Sequence, residues 1–176
     1  MIQEAAVAVV LRGTSAAKAD VLLVRRALKA GDPWSGHMAL PGGRRAPHDA
    51  DLLATALRET HEEVGVQLTR ELSLGSLAPV FTVAPARSAP LGLTALPMIV
   101  RPFVLLTRAP IEWALSPEVT AVRWVPLAAL RDPRRRTTRP WRFAGVPWAA
   151  PAWDLDGDIV WGLTHQMLTR LLRTLV

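Results

Sequence analysis

Apolar positions along the chain follow two rhythms: short β-branched runs, and two stretches with a helical beat. Ala5 to Leu11 and Val21 to Val24 are apolar runs separated by Gly13-Thr14-Ser15 and a few polar residues, which predicts a hairpin of two buried strands. Arg25 and Arg26 follow directly, and Gly31-Asp32-Pro33 predicts a turn. Trp34 to Leu40 leads into Pro41-Gly42-Gly43, where paired glycines permit close approaches that a side chain forbids, and Arg44 to Asp49 reads as a polar loop. Leu53, Leu57, Thr60 and Val64 then share one helical face, with Asp49 or Asp51 as the cap and Gly65 as the stop.

Strand-like sequence resumes from Leu72 to Val83. After a Pro- and Ala-rich loop, Ala84 to Pro97, a second strong strand is predicted at Met98 to Thr107, interrupted by Arg101-Pro102. Val119 to Val125 alternates apolar and polar residues, the mark of a half-exposed strand, and Pro126 to Leu130 opens a short helical piece. Arg131-Asp132-Pro133-Arg134-Arg135-Arg136 is too charged and Pro-broken for a core and predicts a solvated loop. Trp141 to Phe143 and Trp153 to Val160, the latter with an Asp156-Gly157 turn, read as strand fragments. From Gly162 to Leu175 a helix is predicted by the spacing of Leu163, Met167, Leu168, Leu171, Leu172 and Leu175. Strands interleaved with one early and one terminal helix point to an α/β fold with a mixed sheet between helices.

Composition narrows the chemistry. The chain has 176 residues, half of them hydrophobic and 20% charged, which fits one globular domain, 1–176, with a substantial core. The absence of Cys excludes disulfides, thiolate metal sites and a Cys nucleophile. A net charge of +6 suits an anionic partner such as a phosphorylated metabolite or nucleic acid. Glu4 before a short apolar run reads as a strand and not a signal peptide, and no run reaches the ~18 apolar residues needed to span a membrane. No membrane partner and a cytoplasmic location are the expectation.

The densest chemical signal is Arg58-Glu59-Thr60-His61-Glu62-Glu63-Val64-Gly65-Val66. Residues three and four apart lie on one face of a helix, so Glu59 stands beside Glu62 and Glu63, and three like charges in one patch call for a cation. Oxygen-only donors favour a hard ion, Mg²⁺ or Mn²⁺. The structural alternative is a solvated acidic face held by an Arg58–Glu62 pair.

This stretch resembles the Nudix hydrolase signature, Gly, five residues, Glu, seven residues, then Arg-Glu-aliphatic-x-Glu-Glu-x-Gly-aliphatic. Arg58 to Val66 matches its second half at every position but one, where Thr60 replaces an aliphatic residue. Arg, three Glu and Gly at this spacing arise by chance with a probability on the order of one in a million per start position. In the first half, Ala50 and Arg44 stand where the family Glu and Gly belong, and Asp49 and Gly43 each sit one residue early, as after a single-residue insertion. The upstream sequence is most similar to the coenzyme A diphosphatase branch: Leu22-Leu23-Val24-Arg25-Arg26-Ala27, Gly36, Leu40-Pro41-Gly42-Gly43, Asp49 and Thr55-Ala56-Leu57-Arg58-Glu59 follow its pattern, as Ile159 to Thr164 follows its entry to the last helix. Departures are Ala27 for Ser, Asp32 for Arg and Ala46 for Asp.

The resemblance implies a Nudix-like α/β/α sandwich and metal-dependent hydrolysis of a nucleoside diphosphate derivative, a coenzyme A-like compound first, with ADP-ribose or a damaged nucleoside triphosphate as alternatives. It assigns Glu59, Glu62 and Glu63 to Mg²⁺ or Mn²⁺, a base role to Glu59 or a glutamate outside the signature, and to Arg58 the orientation of a carboxylate. Glu118, before the Val119 strand, stands where related proteins place a supplementary glutamate; Glu112 is a second candidate. Asp49 reads as a helix cap rather than a catalytic part. Arg25, Arg26, Arg44 and Arg45, flanking Gly42 and Gly43, are candidates for the substrate phosphates. His37 and Trp161 read as structural, and the Arg131 to Arg142 cluster as solvated, since no RNA-binding motif accompanies it. The partner is therefore a small-molecule nucleotide rather than nucleic acid, with a homodimer left open. A nucleotide-sensing domain without activity is the non-enzyme alternative, though such domains typically lose signature glutamates, which this chain keeps. Isopentenyl diphosphate isomerase chemistry needs the cysteine this chain lacks.

Overall fold

The computed structural model describes residues 2–30, 34–85, 95–108, 111–143 and 146–175. The predicted Gly31-Asp32-Pro33 turn and residues 86–94 of the predicted loop lie outside these segments. The first hairpin is β1 (Gln3–Arg12) and β2 (Asp20–Arg26). It pairs at its closed end alone, Leu11 with Val21 and Arg12 with Asp20. Farther along, the two strands splay, and the segment that follows runs between them. Its first part, β3 (Met38–Ala39), pairs with β2, and its second, β4 (Gly42–Arg44), pairs with β1. The helix α1 (Leu52–Val64) comes next, then β5 (Ser73–Ser76), β6 (Val80–Pro85), β7 (Ala95–Thr107) and β8 (Val119–Pro126). β7 runs parallel to all of β1, while β5 and β6 pair antiparallel with β7 and β8 with β2, giving a mixed eight-stranded sheet.

A short helix α2 (Leu127–Arg131) leads to a second, three-stranded sheet, β9 (Arg136–Phe143), β10 (Val146–Leu155) and β11 (Asp158–Trp161), and to α3 (Gly162–Thr174). Successive β1 side chains point to opposite faces. Ala6, Ala8 and Val10 meet Ala56 of α1, and the small alanines let that helix lie close to the sheet. Ala5, Val7, Val9 and Leu11 face the other way, onto Trp153, Leu155, Met167, Leu168 and Leu171. Each fully buried large side chain in this layer contributes roughly 1.5–3 kcal/mol, so α3 and the small sheet seal that face. The α/β class with a mixed sheet is the observed one. No helix among the described residues is long and apolar enough to cross a membrane.

Three expectations change. β7 is continuous through Arg101-Pro102. Pro102 lies in register with Val7, and its carbonyl accepts from the Leu77 amide at 2.9 Å, so the missing N–H is tolerated without a break. The Arg131 to Arg136 run is mostly exposed, as expected, but it is not a loop: it is the end of α2, a 3-10 turn at Pro133–Arg135 and the start of β9. Its charges are locally satisfied: Arg134 pairs with Asp132, Arg135 with Asp156, and Arg131 donates to the Leu172 and Leu175 carbonyls. The cap of α1 belongs to Asp51, whose side chain accepts from the Ala54 amide, while Asp49 is used elsewhere.

Candidate functional site

The site forms where α1 crosses the segment wedged between β1 and β2. α1 ends at Gly65, whose left-handed backbone (φ 77) returns its amide to the His61 carbonyl. This stop leaves the last two turns facing β4. Glu59 and Glu63, four apart, point at the two glycines in turn. Gly42 donates its backbone N–H to Glu63 Oε2 at 3.0 Å. Gly43 packs so closely that a Cβ there would lie 2.4 Å from the Glu59 carboxyl carbon. On its other side Gly42 is pressed against β1, where a Cβ would fall 2.3 Å from the Ala6 carbonyl oxygen. The paired glycines are thus the space in which two carboxylates meet the sheet.

Electrostatics in this space are unbalanced. Glu63 is 7% exposed, and burial pushes its carboxyl up to about 7, against the lowering effect of the Gly42 N–H; the charges of Glu59 and Glu118 raise it further and that of Arg26 lowers it. Glu59 is also raised, chiefly by burial, although Arg58 opposes the rise. Glu118 is exposed at the start of β8, and its charge acts on both glutamates. Its carbonyl accepts from the Ala27 amide, which ties this turn to the end of β2.

Arg58 organises the other flank. Its Nε and Nη2 donate to Asp49 at 2.9 and 3.0 Å, Nη1 to Glu62 at 2.8 Å and Nη2 to the Arg44 carbonyl at 3.2 Å, and Nη2 stands 3.0 Å from Glu59. Asp49, 6% exposed, also accepts from the Ala46 amide and Thr55 Oγ1, and the bond from Arg58 leads in holding it far below the usual carboxylate range. Asp49 is the residue that sequence reasoning misassigned. Its place before the helix, one residue from the signature glutamate position, suited a cap as well as a partner for Arg58, and only the fold separates the two.

Among the predicted residues, the fold gathers Glu59, Glu63, Glu118, Arg58, Gly42 and Gly43 at one place, with Arg26 close enough to act on Glu63. Arg44 lies on β4 beside them. Glu62 stands on the outer flank, 56% exposed and paired with Arg58. Arg25 is held by Asp158, which Arg123 also engages, in the seam between the two sheets, and Arg45 pairs with Glu4. Glu112 is exposed. His37 accepts from the Trp161 indole at 3.3 Å.

The residues present fit a hard divalent ion. All donors are carboxylate oxygens; Glu63 is buried and Glu59 half-buried beside Arg58, and the raised pKa of each records the cost of desolvating its charge. Among the described residues no three acidic or histidine side chains form a ready-made cage. A hard ion needs only one or two carboxylates when water and substrate oxygens complete its shell.

Comparison with known proteins adds three findings. A family model described as NUDIX domain matches residues 1–148. The chain is 37% identical over 119 residues to an uncharacterized protein of Schizosaccharomyces pombe, covering 66% of this chain and 35% of that protein. It is 33% identical over 133 residues to the mitochondrial coenzyme A diphosphatase NUDT8 of Homo sapiens, covering 73% of this chain and 51% of that one. The chain spans about a quarter to a half of the length of the curated relatives it matches. Among solved structures, the MutT protein from Methanosarcina mazei Go1 superposes with a TM-score of 0.54 at 24% identity over 74% of this chain and 82% of that chain, a likeness of fold.

Proposed function

The chain belongs to the Nudix family, and from that premise we propose that it is a single-domain pyrophosphohydrolase, dependent on a divalent cation, that cleaves the diphosphate linkage of nucleoside diphosphate derivatives in the cytoplasm. The observation that carries this reading is the pair of glutamates, buried Glu63 and half-buried Glu59, packed against the Gly42-Gly43 step with their ionised forms disfavoured. A purely structural carboxylate pair gains nothing from that arrangement. A pair that receives Mg²⁺ or Mn²⁺ together with a substrate diphosphate gains a strong binding site.

Glu59 and Glu63 would hold the ion, with Glu62 reaching in from the flank. When bound, the ion supplies Lewis-acid polarisation and neutralises charge on the phosphoryl oxygens. The chain's own residues do the remaining work. Arg58, anchored by buried Asp49, fixes the rotamer of Glu59 through a charge-assisted contact. Glu59 or Glu118 accepts the proton of the attacking water as its oxygen bonds to phosphorus and the bridging P–O bond breaks. Arg26 and Arg44 bind phosphate oxygens, and the Gly42-Gly43 backbone admits the diphosphate without steric hindrance. Arg25, committed to Asp158, contributes from the seam by holding β2 to the small sheet.

A coenzyme A-like compound is the favoured substrate. Support comes from the upstream pattern Leu22 to Gly43 and from the human relative named a coenzyme A diphosphatase. The test is to incubate the protein with Mg²⁺ or Mn²⁺ and a panel containing coenzyme A, ADP-ribose and oxidised nucleoside triphosphates, with products identified by mass. Release of a phosphorylated half-molecule from one member is expected; complete inactivity across the panel overturns the enzyme reading in favour of a nucleotide-binding domain.

A further inference from the structure

The small sheet carries a surface that hydrolysis at the glutamates leaves unused. Strand alternation puts Trp148, Ala150 and Ala152 of β10 on one face, and on β9 their register partners are Trp141, Arg139 and Thr137. Trp161 closes the same face, opposite Ala152 on β11. Its ring lies 4.9 Å from that of Trp141, and the Arg139 guanidinium stacks 4.9 Å from its centroid. Ala150 and Ala152, both buried, pack with Trp161 and Trp141 on this face, while Trp148 is 56% exposed. Among the described residues no carboxylate pairs with Arg139, whose face is stacked and whose edge N–H groups stay able to donate.

This surface adjoins the glutamate site. The Trp161 indole N–H donates to His37, and the His37 carbonyl accepts from the Arg26 amide at 3.0 Å. From His37 to Gly42 is five residues of chain, roughly 17 Å when fully extended. A nucleotide joined through its diphosphate to a second group can lie across both places. The occupant is argued from what surrounds the rings. Among the described residues on this face they offer the register pair Trp141 and Trp148 and the Arg139 guanidinium, while the neighbouring Arg131, Arg134 and Arg135 are spent on carbonyls and carboxylates of the protein. That is room and charge for one nucleotide, not for the phosphate track of a single-stranded nucleic acid.

We propose that Trp141 and Trp148 are the stacking platform for the purine base of the substrate nucleotide and that Arg139 binds a phosphate of the same nucleotide. The proposal rests on the reading of the glutamate site given above and extends it to the nucleoside half of the substrate. The test is calorimetric titration of the full chain with ADP, UDP and inorganic pyrophosphate in EDTA, where no turnover occurs. ADP is expected to bind several-fold more tightly than UDP. Trp148→Ala is expected to weaken ADP roughly tenfold, about 1.4 kcal/mol, with pyrophosphate unchanged; Trp148→Phe restores most of the loss, and Arg139→Gln weakens ADP several-fold. Undetectable ADP binding, or equal ADP affinity in wild type and Trp148→Ala, overturns the proposal. So does a change of oligomeric state in Trp148→Ala with ADP affinity intact, or an affinity for oligoadenylate that rises with its length.

The two readings fail separately. ADP binding that depends on Trp148, in a protein that hydrolyses nothing in the panel, removes the enzyme and keeps the platform. Hydrolysis of an adenine-containing substrate with a KM indifferent to Trp148→Ala removes the platform and keeps the enzyme.

Discussion

Replacing Glu63 by Gln separates the cost of the site from its use. A carboxyl whose pKa is raised by folding binds its proton more tightly in the folded chain, so the folded state is penalised once that group ionises. The penalty is absent well below the ordinary value of 4.5, grows as the pH rises through the interval up to about 7, and is constant above it. The rise from 4.5 to about 7 corresponds to about 3 kcal/mol at ~1.4 kcal/mol per pH unit. Gln keeps the volume and the oxygen that accepts from Gly42 but never ionises. Urea denaturation in EDTA should therefore find Glu63→Gln more stable than wild type by about 3 kcal/mol at pH 8, with the gap falling below about 1 kcal/mol near pH 5. Added Mg²⁺ or Mn²⁺ should stabilise the wild type at pH 8 and leave the variant nearly unmoved, and the variant should lose at least about 100-fold in kcat/KM on the substrate found in the panel. A variant less stable than wild type at pH 8, or a gap that does not change with pH, refutes the burial argument. Near-normal turnover moves the metal site elsewhere.

Other residues of the site give sharper local tests. Asp49→Asn leaves the Arg58 guanidinium without its buried partner, and a loss of about 3 kcal/mol is expected in denaturant melts. Because folding lowers the Asp49 pKa, its stabilisation is present above the ordinary value of 3.8 and lost as the pH falls below it, so the wild type's advantage over Asp49→Asn should shrink in acid titrations followed by circular dichroism. Gly43→Ala drives a methyl into the Glu59 carboxylate, so kcat/KM should fall by about 100-fold or more with the far-ultraviolet spectrum preserved, which steady-state kinetics will read. Thr60, which replaces an aliphatic residue of the family signature, bonds back to the Ala56 carbonyl at 2.7 Å inside the core. With that hydroxyl satisfied inside its own helix, Thr60→Val should shift stability by less than about 1 kcal/mol in either direction, measured by thermal melts.

Much of this protein was legible in one dimension because its rules are local. The stop at Gly65, the spacing that puts Glu59 and Glu63 on one side of α1, the Asp156-Gly157 turn and the apolar stripe of α3 all follow from helix and turn geometry within a few residues. The family signature is itself a local pattern, which is why the kind of chemistry could be read from Arg58 to Val66. Other features belong to tertiary closure. Nothing in the sequence says that β1 and β2 splay and admit β3 and β4 between them, yet that wedge brings Gly42 and Gly43 against the carboxylates. Nor could spacing assign Asp49 to Arg58 and Asp51 to the cap, since both acids precede the helix and only three-dimensional placement decides which is buried beside the guanidinium. The partners of Arg131 and Arg135 were hidden because their acceptors, the carbonyls ending α3 and Asp156, are distant in sequence, whereas Arg134 pairs locally with Asp132 and stays exposed. The sequence alone determined which carboxylates share one side of α1, because helix geometry fixes neighbours three and four apart. The tertiary structure decided which of those groups are buried, paired or left charged, because burial and charge compensation depend on segments that meet only when the chain closes.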